Sequence, residues 1–182
     1  MLSLIKKSLP NTVRVGGGDF SIYTDFRVWM RFEMEVGRMK RTDHINISYL
    51  FKNEMPTSCN IVELFSFSRP ESVLPRSTGK SSNNIILDYE IDANLIYSAF
   101  MEQYWIDLID IEELHWHKFL ALLNGLSGST RLREVMGYRS YKKDNRRNID
   151  IYEELRGVWE IHPPVSEEEQ AELEEFNAAF GG

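Results

Sequence analysis

"ILDYEIDANLIYSAFMEQYWIDLIDIEELHWHKFLALLNGL" runs from Ile86 to Leu126 and decides the fold class. Leu95, Ile96, Ala99, Phe100 and Gln103 or Tyr104 recur at three- and four-residue spacing, which places them along one face of a helix. Asp92 stands at its start as a cap. "IDLID" links it to a second helix, in which Trp116, Phe119, Leu120 and Leu123 make an apolar arc as wide as that of a central bundle helix. Asp110 is the expected cap of that helix. Glu112 and Glu113 fall in its first turn, where the helix dipole favours carboxylates. Leu108 and Ile109 would staple against Leu114, and Gly125 is the natural stop.

Upstream, "TVRVGGGDFSIY" reads as a hairpin. Val13 and Val15 alternate with Thr12 and Arg14, Phe20 and Ile22 alternate after the turn, and Gly16 to Gly18 can supply positive φ. The glycines are not a phosphate loop, because no Lys-Ser/Thr follows at the required spacing. "TDFRVWMRFEMEVGRMK" is a helix capped by Thr24 or Asp25, apolar on both sides and loosened near Gly37. "HINISYLFKNEMPT" is a short helix or strand-like run ended by Pro56. "SCNIVELFSFSRP" is read as a helix capped by Ser58 or Thr57 and stopped by Pro70. "RPESVLPRSTGKSSNN" is a loop. Two more short helices follow, one started by Ser129 or Thr130 and one carrying Ile151, Leu155 and Val158 or Trp159. After Pro163 and Pro164, Ser166 and Glu169 form a capping box. It opens a helix with Leu173, Phe176 and Phe180 set against six glutamates and no base.

The expectation is therefore mainly α: a single helical domain over residues 1–162, with a small N-terminal antiparallel β-hairpin (10–23) and a Ser/Pro-rich loop (68–84). An acidic amphipathic helix over 163–182 completes it. The 182 residues, 42% of them apolar, suffice for a real core. The net charge of −7 repels a polyanion on average. A lone cysteine, Cys59, excludes an intrachain disulfide. No apolar run is long enough for a membrane helix, and "MLSLIKKSLP" lacks the features of a signal peptide.

His115 and His117 invite a metal or catalytic reading. Within one helix, residues two apart point about 200° away from each other, so the pair cannot grip one ion. The four-residue spacing of a helical zinc motif is missing. The expectation is no metal, no cofactor and no catalytic centre: nowhere do a nucleophile, a base and an orienting group come together. Arg139, Lys142, Lys143, Arg146 and Arg147 make the one basic cluster. It is read first as a solvated face, then as a site for an acidic protein, and least readily as a nucleic-acid contact.

"LPNTVRVGGGDFSIYTDFRVWMRFE", "ILDYEIDANLIYSAFMEQYWIDL", "IEELHWHKFLALLNGL" and "VMGYR", in this order, resemble a family of small tailed-bacteriophage proteins from the tail-assembly region, the phage Gp15-type family. The resemblance covers about Leu9 to Arg147. The matching positions are Asp25, Phe26, Arg27, Tyr97, Phe100, Tyr104, Asp107, Leu108, Trp116, Phe119, Asn124, Gly125 and Arg139, and the resemblance implies no catalytic role for any of them. It also implies glycine where Trp105 stands and another aromatic ring where His117 stands. The function it implies is a non-enzymatic tail assembly chaperone in the host cytoplasm, binding tail-tube or tape-measure protein before polymerisation. The alternatives are a permanent structural tail or neck protein of the virion and a nucleic-acid-binding regulatory protein. The protein-binding candidates are Trp29, Met30 and Phe32 on the first helix, Arg146 and Arg147 in the basic cluster, and Leu173, Phe176 and Phe180 on the last helix. That last helix is also the element through which the chain would associate with itself.

Overall fold

A computed structural model of the chain describes residues 5, 8–40, 44–70, 85–142 and 151–162. The protein is mainly α, with six helices and one two-stranded antiparallel sheet at the N-terminus among these residues. It divides into two compact units, Met1–Ser81 with Leu87–Met136, and Ser82–Ile86 with Gly137–Gly182. The Ser/Pro-rich loop beyond Pro70 and the acidic C-terminal helix expected over 163–182 lie outside the described residues.

In the first unit, β1 (Thr12–Val15) pairs with β2 (Gly18–Ser21), Val13 opposite Phe20 and Val15 opposite Gly18. Gly16 and Gly17 sit at φ 55° and 85°, so the two-residue reversal needs glycine twice. The alternation seen in the sequence buries Val13 and Val15 and exposes Thr12 and Arg14.

Helix α1 (Phe26–Arg38) is capped by Asp25, whose carboxylate accepts the Arg27 N–H, and it runs through Gly37. Phe26, Trp29 and Phe32 line its buried face. "HINISYLFKNEMPT" forms neither a full helix nor a strand. It makes one 3-10 turn, Ser48–Leu50, after which Phe51 bridges to Ile22 and extends the hairpin's edge.

Helix α2 (Ile61–Ser68) starts later than Thr57 or Ser58 would place it. Asn60 is its cap, in a reciprocal box with Glu63. The second Glu63 oxygen accepts the Gly16 N–H at 3.0 Å, tying the hairpin turn to the helix start.

Helix α3 (Ala93–Tyr104) buries Ile96, Ala99 and Phe100. Asp92 occupies its cap position, but its carboxylate accepts the Asp88 N–H rather than an N–H of the helix. Helix α4 (Trp116–Asn124) buries Trp116, His117, Phe119 and Leu123 and ends at Gly125 as expected. Its cap is His115 and not Asp110, so Glu112 and Glu113 precede the helix instead of lying in its first turn.

The core centres on rings. Phe119 stacks on Phe26, Phe100 and Trp116 at centroid distances of 5.0, 5.2 and 5.6 Å, joining α1, α3 and α4. Helix α5 (Arg131–Ser140) places Leu132 and Val135 in the buried interior.

In the second unit, the described residues are the end of α5, helix α6 (Ile151–Trp159), and a bridge between Ile85 and Ile161. Arg139 is buried there. Its guanidinium donates to the Trp159 carbonyl at 2.7 Å and the Ile86 carbonyl at 3.2 Å. It is therefore not part of the solvated basic face expected from the sequence.

Candidate interaction surface

The loop between α3 and α4 is bolted to the start of α1. Asp25 and His115 form an isolated bridge, with Phe26 N–H donating to the Leu114 carbonyl and Trp116 N–H to the Thr24 carbonyl. The Asp25 carboxylate also accepts the Leu114 N–H at 3.2 Å, and Thr24 Oγ1 donates to Glu113. One Arg27 nitrogen serves three loop carbonyls: Leu108 at 2.9 Å, Ile109 at 3.3 Å and Ile111 at 2.8 Å. A planar guanidinium suits this task, since its donors are fixed in direction and permanently charged.

Inside the loop, Asp107 accepts the N–H groups of Ile109 and Asp110 on one oxygen and the Tyr97 hydroxyl on the other. Those backbone donors hold its pKa below the usual carboxylate value. The far end of α4 is held in the same manner. Gln103 donates to the Gly125 carbonyl and accepts the Ser127 N–H, while Tyr104 donates to the Leu122 carbonyl. A Cβ on Gly125 would meet the Tyr104 hydroxyl at 3.1 Å, so glycine there also makes room for the bolt.

Asp25 thus does two jobs with one side chain. Asp25→Ala is expected to destabilise the protein by about 2 kcal/mol, the loss of a helix cap plus a charge-assisted bond to a part-buried N–H. The cap and the Leu114 bond use different oxygens, so Asp25→Asn, which keeps one acceptor oxygen, keeps one job and should lose about half of that. Urea unfolding of the three proteins tests this, and equal losses for both variants would contradict the two-job reading.

The histidines are consumed by the fold. His115 lies outside the helix, so the opposed directions expected within one helix do not apply, and its ring centre is 5.1 Å from that of His117. His115 Nδ1 accepts the His117 N–H as the α4 cap, and Nε2 donates to the Pro10 carbonyl at 2.9 Å. His117 is 3% exposed, and its Nε2 donates to the Phe67 carbonyl at 2.8 Å. The His115 pattern requires the neutral ring protonated at Nε2, and the His117 bond requires a proton on Nε2. Burial lowers the pKa of both, that of His117 to about 4. Among the described residues no group of three or more His, Cys, Asp or Glu is placed to hold a metal ion.

The protein-binding candidates fall in different places. Trp29 and Phe32 are 0% exposed. The Trp29 indole donates to the Tyr23 carbonyl, and its ring packs on Phe67 and Phe32. The α1 face that holds these two rings is therefore occupied by the protein's own core. Met30 is half-buried. Arg146, Arg147, Leu173, Phe176 and Phe180 lie outside the described residues.

The most exposed aromatic among the described residues is Trp105, which the sequence reading did not offer as a binding residue. It is 86% exposed and sits at φ 55°, ψ 32°, directly after α3. It is the one non-glycine residue at positive φ among the described residues. A left-handed conformation costs a side-chain-bearing residue about 1 kcal/mol. The glycine implied here by the resemblance is the residue that meets that requirement without strain. Four positions further on, Ile109 is 74% exposed.

The positions that carry the resemblance are largely these bolts and the ring stack. They include Asp25 and Arg27, Tyr97 and Asp107, Tyr104 and Gly125, and Phe26, Phe100, Trp116 and Phe119. Neither the curated proteins nor the solved structures contain a match to the chain. The family model described as "Bacteriophage Gp15 protein" matches residues 5–161, most of the sequence. With loop, caps and ring stack all inside that span, the chain belongs to the Bacteriophage Gp15 protein family.

Proposed function

We propose that the protein is a non-enzymatic phage tail assembly chaperone. It binds tail-tube or tape-measure protein in the host cytoplasm before polymerisation and is then released. Family membership supports a phage structural or assembly role. The observation that carries the non-enzymatic reading is the use of the histidine pair, the most reactive-looking group in the sequence. Its ring nitrogens cap α4 and hold the Pro10 and Phe67 carbonyls. Among the described residues no helix is long and apolar enough to cross a membrane.

The test is a tagged pull-down from phage-producing cells, with a parallel search for the chain in purified particles. Tail-tube or tape-measure protein in the pull-down, with the chain missing from particles, is the expected result. Stoichiometric presence in particles would replace the chaperone with a permanent tail or neck protein. Salt-sensitive nucleic-acid binding that is lost on neutralising Arg146 and Arg147 would replace both with a regulatory role.

A further inference from the structure

We propose that the loop from Trp105 to Glu113 is a docking site for an arginine- or lysine-rich segment of a partner protein, with the Trp105 indole as its platform. The proposal rests on the assembly reading in that the segment belongs to a protein partner, and it names the surface and the chemistry of what is bound.

The fold gains little from the Trp105 side chain. The indole is almost fully exposed, and its backbone occupies a region that favours glycine. A strained residue whose side chain is left in solvent points to a use outside the fold. The loop beneath it is held firmly. Trp105 N–H donates to the Met101 carbonyl, Asp107 closes the following turn, and Arg27 grips three carbonyls. A platform fixed in advance loses little freedom when it is covered.

The charge around the loop selects the occupant. From Leu87 to His117 the sequence holds eight Asp and Glu and no Lys or Arg. Glu102, Asp110 and Glu112 are exposed on or beside the loop. The cations nearby include Arg27, which also pairs with Asp25, and Lys118 on α4, while Glu90 in the same stretch is already paired with Arg38. Tryptophan is the strongest cation–π partner among side chains, and a guanidinium or ammonium on its face has carboxylates within the same loop. Ile109, exposed beside it in sequence, offers an apolar contact to the same segment.

The experiment titrates the full chain with a short peptide of alternating arginine and leucine, using a glutamate–leucine peptide as control, and follows the binding heat. Trp105→Gly leaves the net charge unchanged. It should weaken the arginine peptide roughly tenfold or more, as loss of an aromatic hot spot does. Its melting temperature should equal or exceed that of the parent, because glycine relieves the positive φ. Asp110→Asn with Glu112→Gln should weaken binding and flatten its dependence on salt. Equal affinity of the parent and Trp105→Gly, failure of the arginine peptide to bind, or equal binding of the glutamate peptide would each overturn the proposal. In the pull-down, a tail partner retained in full by Trp105→Gly overturns this site alone. Absence of any tail partner with the unmodified chain overturns the assembly reading itself.

Discussion

Phe119→Ala is expected to destabilise the protein by about 3–5 kcal/mol, the cost of emptying a packed aromatic site. Phe119 is 0% exposed, and its ring faces Phe26, Phe100 and Trp116 in near-parallel stacks, with Tyr89 tilted against it at 6.4 Å. These neighbours come from α1, α3 and α4 and from the segment before α3, so no single element can shift inward and fill the hole. At roughly 2–4 °C per kcal/mol for a chain of this size, the melting temperature should fall by roughly 6–20 °C. Phe119→Leu leaves a smaller cavity and should lose clearly less. Thermal and urea unfolding monitored by circular dichroism measure both. A loss under about 1 kcal/mol for the alanine variant would mean that the ring stack is not the centre of the core.

The hairpin, α1 and the end of α4 were legible in the sequence because their signals are local. Period-two valines with glycines between them, an aspartate before an apolar helix, and a glycine after one each act within a few residues. Asn60 with Glu63 is also a local signal, a capping box three residues apart that competes with the upstream caps Thr57 and Ser58. His115 was not legible as a cap. Asp110 offers a capping side chain and puts Glu112 and Glu113 at favoured first-turn positions, so the local signals alone start the helix there. The true start is set by the bridge from His115 to Asp25, a partner far away in sequence. The burial of Trp29 and Phe32 is likewise a tertiary fact. Helix α1 reads as apolar on two sides, and only the positions of Phe65 and Phe67 on α2 decide which side is filled. Trp105 carried a signal of a different kind. Its departure from the glycine implied by the resemblance was visible beforehand, but its meaning needed the backbone angle and the exposure together.

Acid should unfold this protein earlier than its carboxylates alone would require. His117 has a folded pKa near 4 against an ordinary 6.5. The main cause is burial, opposed in part by the Phe67 carbonyl, which favours the charged ring, and reinforced by the neighbouring His115. Protonation would place a second N–H on Nδ1, which is buried without a hydrogen-bond partner. The sign follows from proton counting. Between pH 6.5 and 4 the unfolded chain binds a proton that the folded chain refuses, so stability is complete above pH 6.5 and falls as the pH drops through this window. A gap of that size corresponds to roughly 3 kcal/mol once the pH is below both values. His115 acts in the same direction, because burial lowers its pKa too and its Nδ1 must stay unprotonated to cap α4. Urea midpoints measured from pH 7.5 down to 4, alongside an NMR titration of the imidazole protons, test the argument. His117→Phe, which places an aromatic ring there without a titrating group, should flatten the loss even if its stability at neutral pH is reduced by the missing bond to Phe67. A His117 resonance titrating near 6.5, or an unaltered pH slope in the phenylalanine variant, would show that the buried imidazole is not what makes the fold acid-sensitive.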